Sequence, residues 1–407
     1  MDTNNCASSS DCAANETNKD MNFRILSTAG RVRHGVLNLT HGSVHTPVFM
    51  PVGTQGTMKG LTTEELSDEA DCQILLSNTY HLGHRPGYET VKESGGLHKF
   101  MNWNRPILTD SGGFQMVSLS KLMNVTEDGV HFESPHTSEM ILLTPEKCIE
   151  MQEALGSDIM MQLDHVIHSL TTGDIVEEAM ERSIRWLDRC IKAQTRNDQV
   201  LFPIIQGGLN LDLRERCTKE MVERATVGIA IGGLSGGEEK DKFWRVVARC
   251  CELIPEGLPR YVMGVGWPVD LVLASLLGAD MFDCVYPTRT ARFGTAITRR
   301  EGELKLNNRK YKDDMRPIDE NCECSTCKGG YSRAFLSATI TKETVTCHLI
   351  SVHNIHHHLD LMRRLRTAVD EQKVEEFLHE FLREQYGNPE KFPAWVKNVV
   401  EFLGYSL

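Results

Sequence analysis

Three aspartates could bring nucleophilic or acid–base chemistry to one site, because each follows a short apolar run. Asp110 lies in LTDSGGFQ, Asp164 in QLDH and Asp283 in MFDCVYPTRTARFG. Carboxylates gathered in one cavity raise the pKa of at least one of them, which favours proton transfer. Another carboxylate could then be the nucleophile in a retaining substitution at an anomeric carbon. For any one aspartate the alternative is an ordinary turn or a helix cap, where this residue is common.

A cluster of cysteines predicts a metal site. The segment NCECSTC supplies Cys322, Cys324 and Cys327, and three thiolates so closely spaced suit tetrahedral zinc. A histidine from further along the chain could complete a closed Cys3His site, which would be structural and perform no chemistry. Spacing alone leaves five candidates for that ligand, namely His348, His353, His356, His357 and His358. We expect the other cysteines to be buried thiols.

A basic stretch follows Asp283. Residues 286–317 contain nine lysines and arginines and four acids, a balance of +5 in a chain whose net charge is −12. Positive charge beside a candidate active-site acid indicates a phosphate backbone as substrate. The alternative is a solvated charged loop. The overall charge and a pI near 5.8 argue against indiscriminate nucleic-acid binding.

Eight short apolar runs, most of them followed by polar or glycine-rich residues, would position these groups. The runs are Pro47–Pro51, Ile74–Ser77, Ile107–Thr109, Ile159–Leu163, Phe202–Ile205, Val227–Ile231, Tyr261–Met263 and Ala279–Phe282. Amphipathic segments such as Ile175–Ala193 lie between several of them, which indicates a parallel sheet. Eight repeats favour an α/β fold of the eight-stranded (β/α)8 TIM-barrel type over a doubly wound open sheet. Barrel enzymes carry their active sites at the strand exits, where the three aspartates lie.

The predicted organisation is one domain with additions. Residues 1–20 are polar and small and should form a disordered tail, and residues 21–407 should form the barrel domain. A zinc-binding insertion would span about 294–353, after the eighth strand, and C-terminal helices about 354–407. Glu127-Asp128-Gly129 predicts a hairpin between the third and fourth strands. No apolar run is long enough to span a bilayer, and cysteine usage indicates a reducing compartment.

At this point the motifs resemble a known family. LTDSGGFQ, IIQGG, IGGLSGGE, MGVG, MFDCVYPTRTARFGTA and the CxCxxC segment with His353-Asn354 are similar to those of the queuine tRNA-ribosyltransferases, the tRNA-guanine transglycosylases. The resemblance covers about Phe23 to Tyr386. It implies an eight-stranded barrel with a zinc-binding insertion. It also implies exchange of guanine at the anticodon wobble position of tRNA for a 7-deazaguanine base.

The resemblance also implies roles for individual residues. Asp283 matches the nucleophile, which forms a covalent ester with the ribose, and Asp110 matches the proton acceptor and general acid–base group. The positions that match base-binding residues are Asp110, Ser111, Gly112, Gly113, Phe114, Asp164, Gln206 and Gly233. Those that match RNA contacts are Gly264, Val265, Gly266, Trp267, Pro268, Val269, Asp270, Thr288, Arg289, Thr290, Ala291 and Arg292. The implied zinc ligands are Cys322, Cys324, Cys327 and His353.

Details of the motifs resemble the eukaryotic catalytic type. Gly236 stands where bacterial members carry valine and would leave room for the cyclopentenediol group of queuine; Val166 and Phe114 also differ from the bacterial pattern. The implied partners are tRNA with a G-U-N anticodon, queuine, and an accessory non-catalytic subunit in a heterodimer. The expected location is the cytoplasm, with peripheral association with the mitochondrial outer membrane left open. Two alternatives remain, a non-catalytic tRNA-binding partner subunit of the same family and a barrel glycosidase acting on free sugars.

Overall fold

The computed structural model describes residues 21–113, 123–133, 139–340 and 342–406. The predicted tail at residues 1–20 and the predicted base-binding residue Phe114 lie outside these ranges. The strands are β1 Asn22–Ala29, β2 Val32–Leu39, β3 Gly42–Thr46, β4 Val48–Gly53, β5 Leu75–Asn78, β6 Ile107–Asp110, β7 Met123–Val125, β8 Val130–Glu133, β9 Met140–Leu143, β10 Ile159–Met161, β11 Val200–Phe202, β12 Ile204–Ile205, β13 Ile229–Ile231, β14 Arg260–Val262, β15 Met281–Cys284, β16 Thr295–Thr298 and β17 Gly302–Lys305.

Helices separate most of the strands and cover the outside of the molecule. They are α1 Thr79–His84, α2 Tyr88–Glu93, α3 Leu97–Met101, α4 Pro145–Leu155, α5 Asp174–Ala193, α6 Leu211–Arg224, α7 Lys240–Leu253, α8 Pro268–Leu276, α9 Tyr286–Arg292, α10 Ser325–Lys328, α11 Arg333–Thr339, α12 Thr344–Asp370, α13 Val374–Tyr386 and α14 Ala394–Phe402. A π-helical turn covers Glu65–Glu69, and short 3-10 turns cover Arg309–Tyr311 and Pro389–Lys391. Within the described ranges, no helix is long and apolar enough to cross a membrane.

Nine parallel strands of the described chain form a nearly closed barrel, in the order β11-β10-β6-β5-β4-β15-β14-β13-β12. The predicted fifth run is split into β11 and β12 by Pro203, which has no backbone N–H to donate. β11 pairs with β10 and β12 pairs with β13, so the split run spans the closing seam. The carbonyl of Pro203 still accepts a hydrogen bond from the N–H of Ala230 at 2.8 Å. The predicted TIM barrel is therefore confirmed, with its eight runs forming nine strands.

Alternation along the strands divides the core into two layers. Met50, Leu108 and Met281 belong to the cluster inside the barrel, whereas the neighbouring residues Phe49 and Phe282 pack against the surrounding helices. This period of two follows from the pleat of the strand. Residues of β2 and β3 join the interior cluster, so the antiparallel sheet β1–β3 closes the N-terminal end of the barrel. The β1–β3 sheet does not cover the opposite end of the barrel, where the C-terminal ends of the strands lie. A ligand site can therefore form at that end.

Two additions depart from the alternating pattern. β7 and β8 form an antiparallel pair around Glu127-Asp128-Gly129, as the sequence predicts. After α9, the hairpin β16–β17 and the helices α10 and α11 form a separate small core that includes Leu304, Ile318 and Leu336. The long helix α12 packs against this core, against α9 and against β4 of the barrel. It therefore connects the small core to the strand exits.

Candidate active site and metal centre

Asp283 lies near the C-terminal end of β15, two residues after the interior residue Met281, so the pleat directs its side chain toward the barrel axis. Its Oδ1 accepts hydrogen bonds from the hydroxyl of Tyr261 at 2.7 Å and from the backbone N–H of Gly264 at 2.8 Å. Burial raises the pKa of Asp283, and these two donors oppose the rise. The carboxylate is desolvated and held in one orientation, which suits a nucleophile.

Asp110 ends β6 and follows the interior residue Leu108 by two positions, so it points into the same mouth. Its Oδ2 accepts a hydrogen bond from the side-chain amide of Asn78 at 2.6 Å, and its Oδ1 accepts one from the backbone N–H of Thr79 at 3.1 Å. The carbonyl oxygen of the same Asn78 side chain caps α1 by accepting from the N–H of His81 at 2.9 Å. The side chain of Asn78 therefore orients the carboxylate of Asp110 and also caps the N-terminus of α1.

Asp164 and Gln206 form a buried hydrogen-bonded pair. The amide nitrogen of Gln206 donates to Oδ2 of Asp164 at 2.6 Å, and burial raises the pKa of Asp164 to about 6 although this bond opposes the rise. A Cβ at Gly233 would lie 2.3 Å from Oε1 of Gln206, and one at Gly113 would lie 3.4 Å from Oδ1 of Asp164. Because Gly233 and Gly113 have no side chains, a flat ligand can approach the Asp164–Gln206 pair. A carboxylate beside an amide matches the N–H and C=O groups on the edge of a purine-like base.

The segment from Ser111 to Gly113 forms the wall between these groups. Gly112 has a φ of +80°, and a Cβ there would lie 2.6 Å from Cβ of Tyr80, so a larger residue is excluded on both counts. The carbonyl of Ser111 accepts a hydrogen bond from the thiol of Cys148 at 3.7 Å. This close backbone packing lets a ligand lie directly against the main chain.

Electrostatic effects link the three acids. Burial and the neighbouring charge of Asp283 raise the pKa of Tyr261, and the charge of Asp110 raises it further. Burial dominates the raised pKa of the Cys148 thiol, to which both Asp110 and Asp164 also contribute. The structure therefore brings Asp110, Asp164 and Asp283 together at one mouth. Because Tyr261 stays protonated, it acts as a donor to Asp283.

Only part of the predicted RNA-contacting stretches reaches the surface. Gly264, Trp267, Arg289 and Arg292 are exposed and Thr290 is half-buried, whereas Val265, Gly266, Pro268, Val269, Asp270, Thr288 and Ala291 are buried. The side chain of Trp267 is 51% exposed, and its ring centroid lies 5.0 Å from that of Tyr286. An exposed indole and two arginines beside Asp283 suit base stacking and phosphate contact. The buried residues can only support that surface from below.

The predicted metal ligands converge. Nδ1 of His353 lies 3.5 Å from Sγ of Cys322, 3.5 Å from Sγ of Cys324 and 3.3 Å from Sγ of Cys327. Bond lengths of about 2.3 Å to sulfur and about 2.0 Å to nitrogen at a tetrahedral angle place the sulfur and nitrogen atoms roughly 3.5 Å apart. Nε2 of His353 lies 2.7 Å from the carbonyl oxygen of Ile297. Metal-bound histidines commonly use their second ring nitrogen for such a bond, which fixes the orientation of the ring. The residues present therefore fit a tetrahedral metal ion.

Asn354 connects the metal centre to the active site. Its amide nitrogen donates to the carbonyls of Pro287 at 2.9 Å and Thr295 at 3.0 Å, and its Oδ1 accepts from the N–H of Ile297 at 2.8 Å. These bonds join α12 to α9, which carries the exposed arginines, and to β16 of the insertion. A metal ion held by the neighbouring His353 would therefore help to fix the position of α9.

Sequence reasoning did not single out Tyr261, Asn78 or Asn354 as site residues. All three donate hydrogen bonds that fix a candidate catalytic carboxylate or the helix beside it. Asn78 is one of the polar residues that follow the second apolar run, and Asn354 is part of the His353-Asn354 motif. Their partners lie on neighbouring strands or distant elements, which no local pattern reveals.

Comparison with known proteins gives the family. The family model for queuine tRNA-ribosyltransferase matches residues 28–387. A Caenorhabditis elegans protein named queuine tRNA-ribosyltransferase catalytic subunit is 66% identical over 400 residues, which cover 95% of this chain and 100% of that protein. The Schizosaccharomyces pombe protein of the same name is 50% identical over 397 residues, covering 95% and 98%. A Staphylococcus aureus queuine tRNA-ribosyltransferase is 48% identical over 366 residues, covering 88% and 96%. With its motifs, its barrel and these matches in agreement, the chain belongs to the queuine tRNA-ribosyltransferase family.

Proposed function

We propose that this chain replaces guanine at the wobble position of tRNA with a G-U-N anticodon by queuine, as a catalytic subunit. The observation that carries the proposal is Asp283, whose carboxylate is fixed by Tyr261 and Gly264 at the barrel mouth. The base-sized edge formed by Asp164 and Gln206 lies at the same mouth. A nucleophile and a base-reading pair are the two parts that a base exchange needs.

In the first half-reaction, an oxygen of Asp283 attacks C1′ of the ribose and the bond from C1′ to N9 of guanine breaks. The electron pair leaves with guanine, which takes a proton from the carboxyl group of Asp110. A covalent ester joins the RNA to Asp283. Asp110 suits this role because Asn78 and Thr79 hold both of its oxygens and so fix its direction.

In the second half-reaction, the carboxylate of Asp110 removes the proton from N9 of queuine. The nitrogen then attacks C1′, the ester bond breaks and Asp283 regains its negative charge. Two displacements on one carbon retain the configuration at C1′. Asp164 and Gln206 would bind the edge of either base, so that both bases enter the same position.

The exposed residues beside Asp283 support tRNA as the substrate. Arg289 and Arg292 would contact phosphates and Trp267 would stack on a base of the anticodon loop. Zinc is the metal that a Cys3His donor set prefers, and it would serve as a structural ion. A related accessory subunit would complete a heterodimer in the cytoplasm, with association with the mitochondrial outer membrane as an additional location.

The alternative is a non-catalytic tRNA-binding partner subunit of the same family. Such a subunit would have no use for hydrogen bonds that fix the carboxylates of Asp110 and Asp283 at the barrel mouth. The donors to Asp110 and Asp283 therefore favour catalysis.

Exchange of labelled guanine in tRNA, with and without the accessory subunit and chased by queuine, tests the proposal. Wild-type protein should release the label, and denaturing gels should trap an RNA–protein ester. Asp283→Asn should abolish both. Asp198→Asn, which removes an acid just before β11 at the other end of the barrel, is the matched control and should leave both intact. Trapped ester in Asp283→Asn would refute the nucleophile, and tRNA binding without any exchange would favour the alternative.

A further inference from the structure

Ser169 carries a buried hydroxyl that has no role in the two half-reactions described above. The residue is 4% exposed, and its Oγ has no hydrogen-bond partner among the described residues. A buried hydroxyl without a partner costs about 1–3 kcal/mol relative to a satisfied one. Such groups in native proteins mark strain or a site for a water or a ligand.

Ser169 lies on a loop that begins at the base-binding pair. Ser169 follows Asp164 by five residues on the loop after β10, and that loop runs beside Gly113, whose Cβ would lie 3.4 Å from Val166 Cγ2. Across from it is Gly236, three residues after Gly233. A Cβ at Gly236 would lie 2.5 Å from Oγ of Ser169. Any residue larger than glycine would therefore displace this hydroxyl.

The loop that presents Gly236 is held firmly. The carboxylate of Glu238 accepts hydrogen bonds from the backbone N–H of Ser235 at 2.7 Å and of Gly236 at 2.9 Å. Ser235 itself has a φ of +61°, a left-handed conformation that a serine adopts only when its surroundings impose it. The distance from Gly236 to Ser169 is thus built into the fold.

We propose that the Ser169 hydroxyl recognises the diol on the cyclopentene group of the incoming base and so selects a hydroxylated 7-substituted deazaguanine. This inference rests on the proposed function and deepens it. A serine hydroxyl has one donor and two acceptor positions, which match either hydroxyl of a diol. Guanine has no group to reach it, so the contact acts only on the incoming base. Sites that bind a substrate hydroxyl discriminate against analogues without one, because the protein group is then left unpaired.

The test compares substrates in the exchange assay, using the chain with its accessory subunit. Ser169→Ala should lower kcat/KM for queuine by about 3- to 10-fold, the loss of one neutral hydrogen bond. Exchange of guanine and of 7-aminomethyl-7-deazaguanine should stay within about twofold of wild type. Thr46→Val is the matched control, because Thr46 also has a buried Oγ without a partner in the described chain but lies in β3, at the opposite end of the barrel. It should not change the ratio between substrates.

Equal losses for all three bases would assign Ser169 a purely structural role and overturn the proposal, as would an unchanged ratio. If Ser169→Ala does not fold, a queuine analogue without the two hydroxyls gives the second measurement. It should bind the wild-type protein about 3- to 10-fold more weakly than queuine, and equal binding overturns the proposal. Failure of wild-type protein to incorporate queuine at all would instead refute the proposed function, so the two failures are distinguishable.

Discussion

Asp164→Asn should stabilise the protein at neutral pH while destroying base recognition. The wild-type carboxyl is buried, and its pKa is raised from 3.8 to about 6. A folded-state pKa above the unfolded value means that ionisation disfavours folding, so wild-type stability falls as pH rises from about 4 to about 6. A pKa raised from 3.8 to about 6 corresponds to a destabilisation of about 3 kcal/mol at neutral pH. Asparagine keeps an acceptor for the amide of Gln206 and carries no charge.

For a chain of 407 residues, 3 kcal/mol corresponds to a rise in Tm of about 3–4 °C. Thermal unfolding of both proteins from pH 4 to pH 8 would measure it. The Tm difference should be close to zero below pH 4 and reach its full value above pH 7. A difference that does not change with pH, or a variant less stable at pH 7.5, would refute the burial argument.

Asp158 provides an internal control of opposite sign, since it precedes β10 where Asp164 follows it. Burial raises its pKa, but hydrogen bonds from His41 and His98 outweigh this effect and lower it to about 2. A depressed folded-state pKa contributes stability that is present above the unfolded value and lost as pH falls toward 2. Asp158→Asn should therefore lower Tm at neutral pH, in contrast to Asp164→Asn.

Three further changes test the site and its supports. Tyr261→Phe removes one hydrogen-bond donor to Asp283, so kcat should fall about 5- to 30-fold. Because this bond lowers the pKa of Asp283, the acidic limb of the pH–rate profile should move to higher pH. An unchanged acidic limb would contradict the role of this bond. Asn354→Ala removes three hydrogen bonds to backbone groups and should lower the free energy of unfolding by about 2–4 kcal/mol in urea. A loss below about 1 kcal/mol would count against the link to α9. Cys324→Ser should lower the metal content and the Tm, whereas Cys347→Ser, outside the donor set, should keep both, and equal metal content in the two would rule out the assigned ligands.

The barrel was predictable because its strands are short apolar runs with polar exits, a pattern local to each run. The split of the fifth run at Pro203 was readable in the sequence in principle, since proline lacks the N–H that a central strand donates. The two strands that flank Pro203 form the two ends of the nine-stranded sheet, and this arrangement depends on how the barrel closes. That closure is a property of the whole sheet and has no local signal.

The sequence was sufficient to predict that the three aspartates lie at the C-terminal ends of strands. The partners of the acids were not predictable, because they depend on register between strands. Asn78 and Asp110 are register partners of β5 and β6, and Tyr261 pairs with Met281 two residues before Asp283. A shift by one residue would send each partner to the other face of the sheet. The sequence specifies that register only through the packed core.

The choice among five histidines shows the same limit. Spacing alone does not select His353, whereas the family resemblance does. In the structure His353 joins the three thiolates, while His358 lies on the same helix with Nε2 2.7 Å from the carbonyl of Gly266. Less than one and a half turns of helix separate the candidate metal ligand His353 from His358, which supports the RNA-facing loop.

The long helix α12 has a consequence for biosynthesis. It contacts residues from very distant parts of the chain, including His34 through Asp370 and Pro47 through Arg366. A ribosome releases β2 and β4 long before it makes this helix, so the nascent barrel lacks the element that fixes α9 through Asn354. The surface proposed to hold the anticodon therefore gains the support of Asn354 only after α12 has been translated.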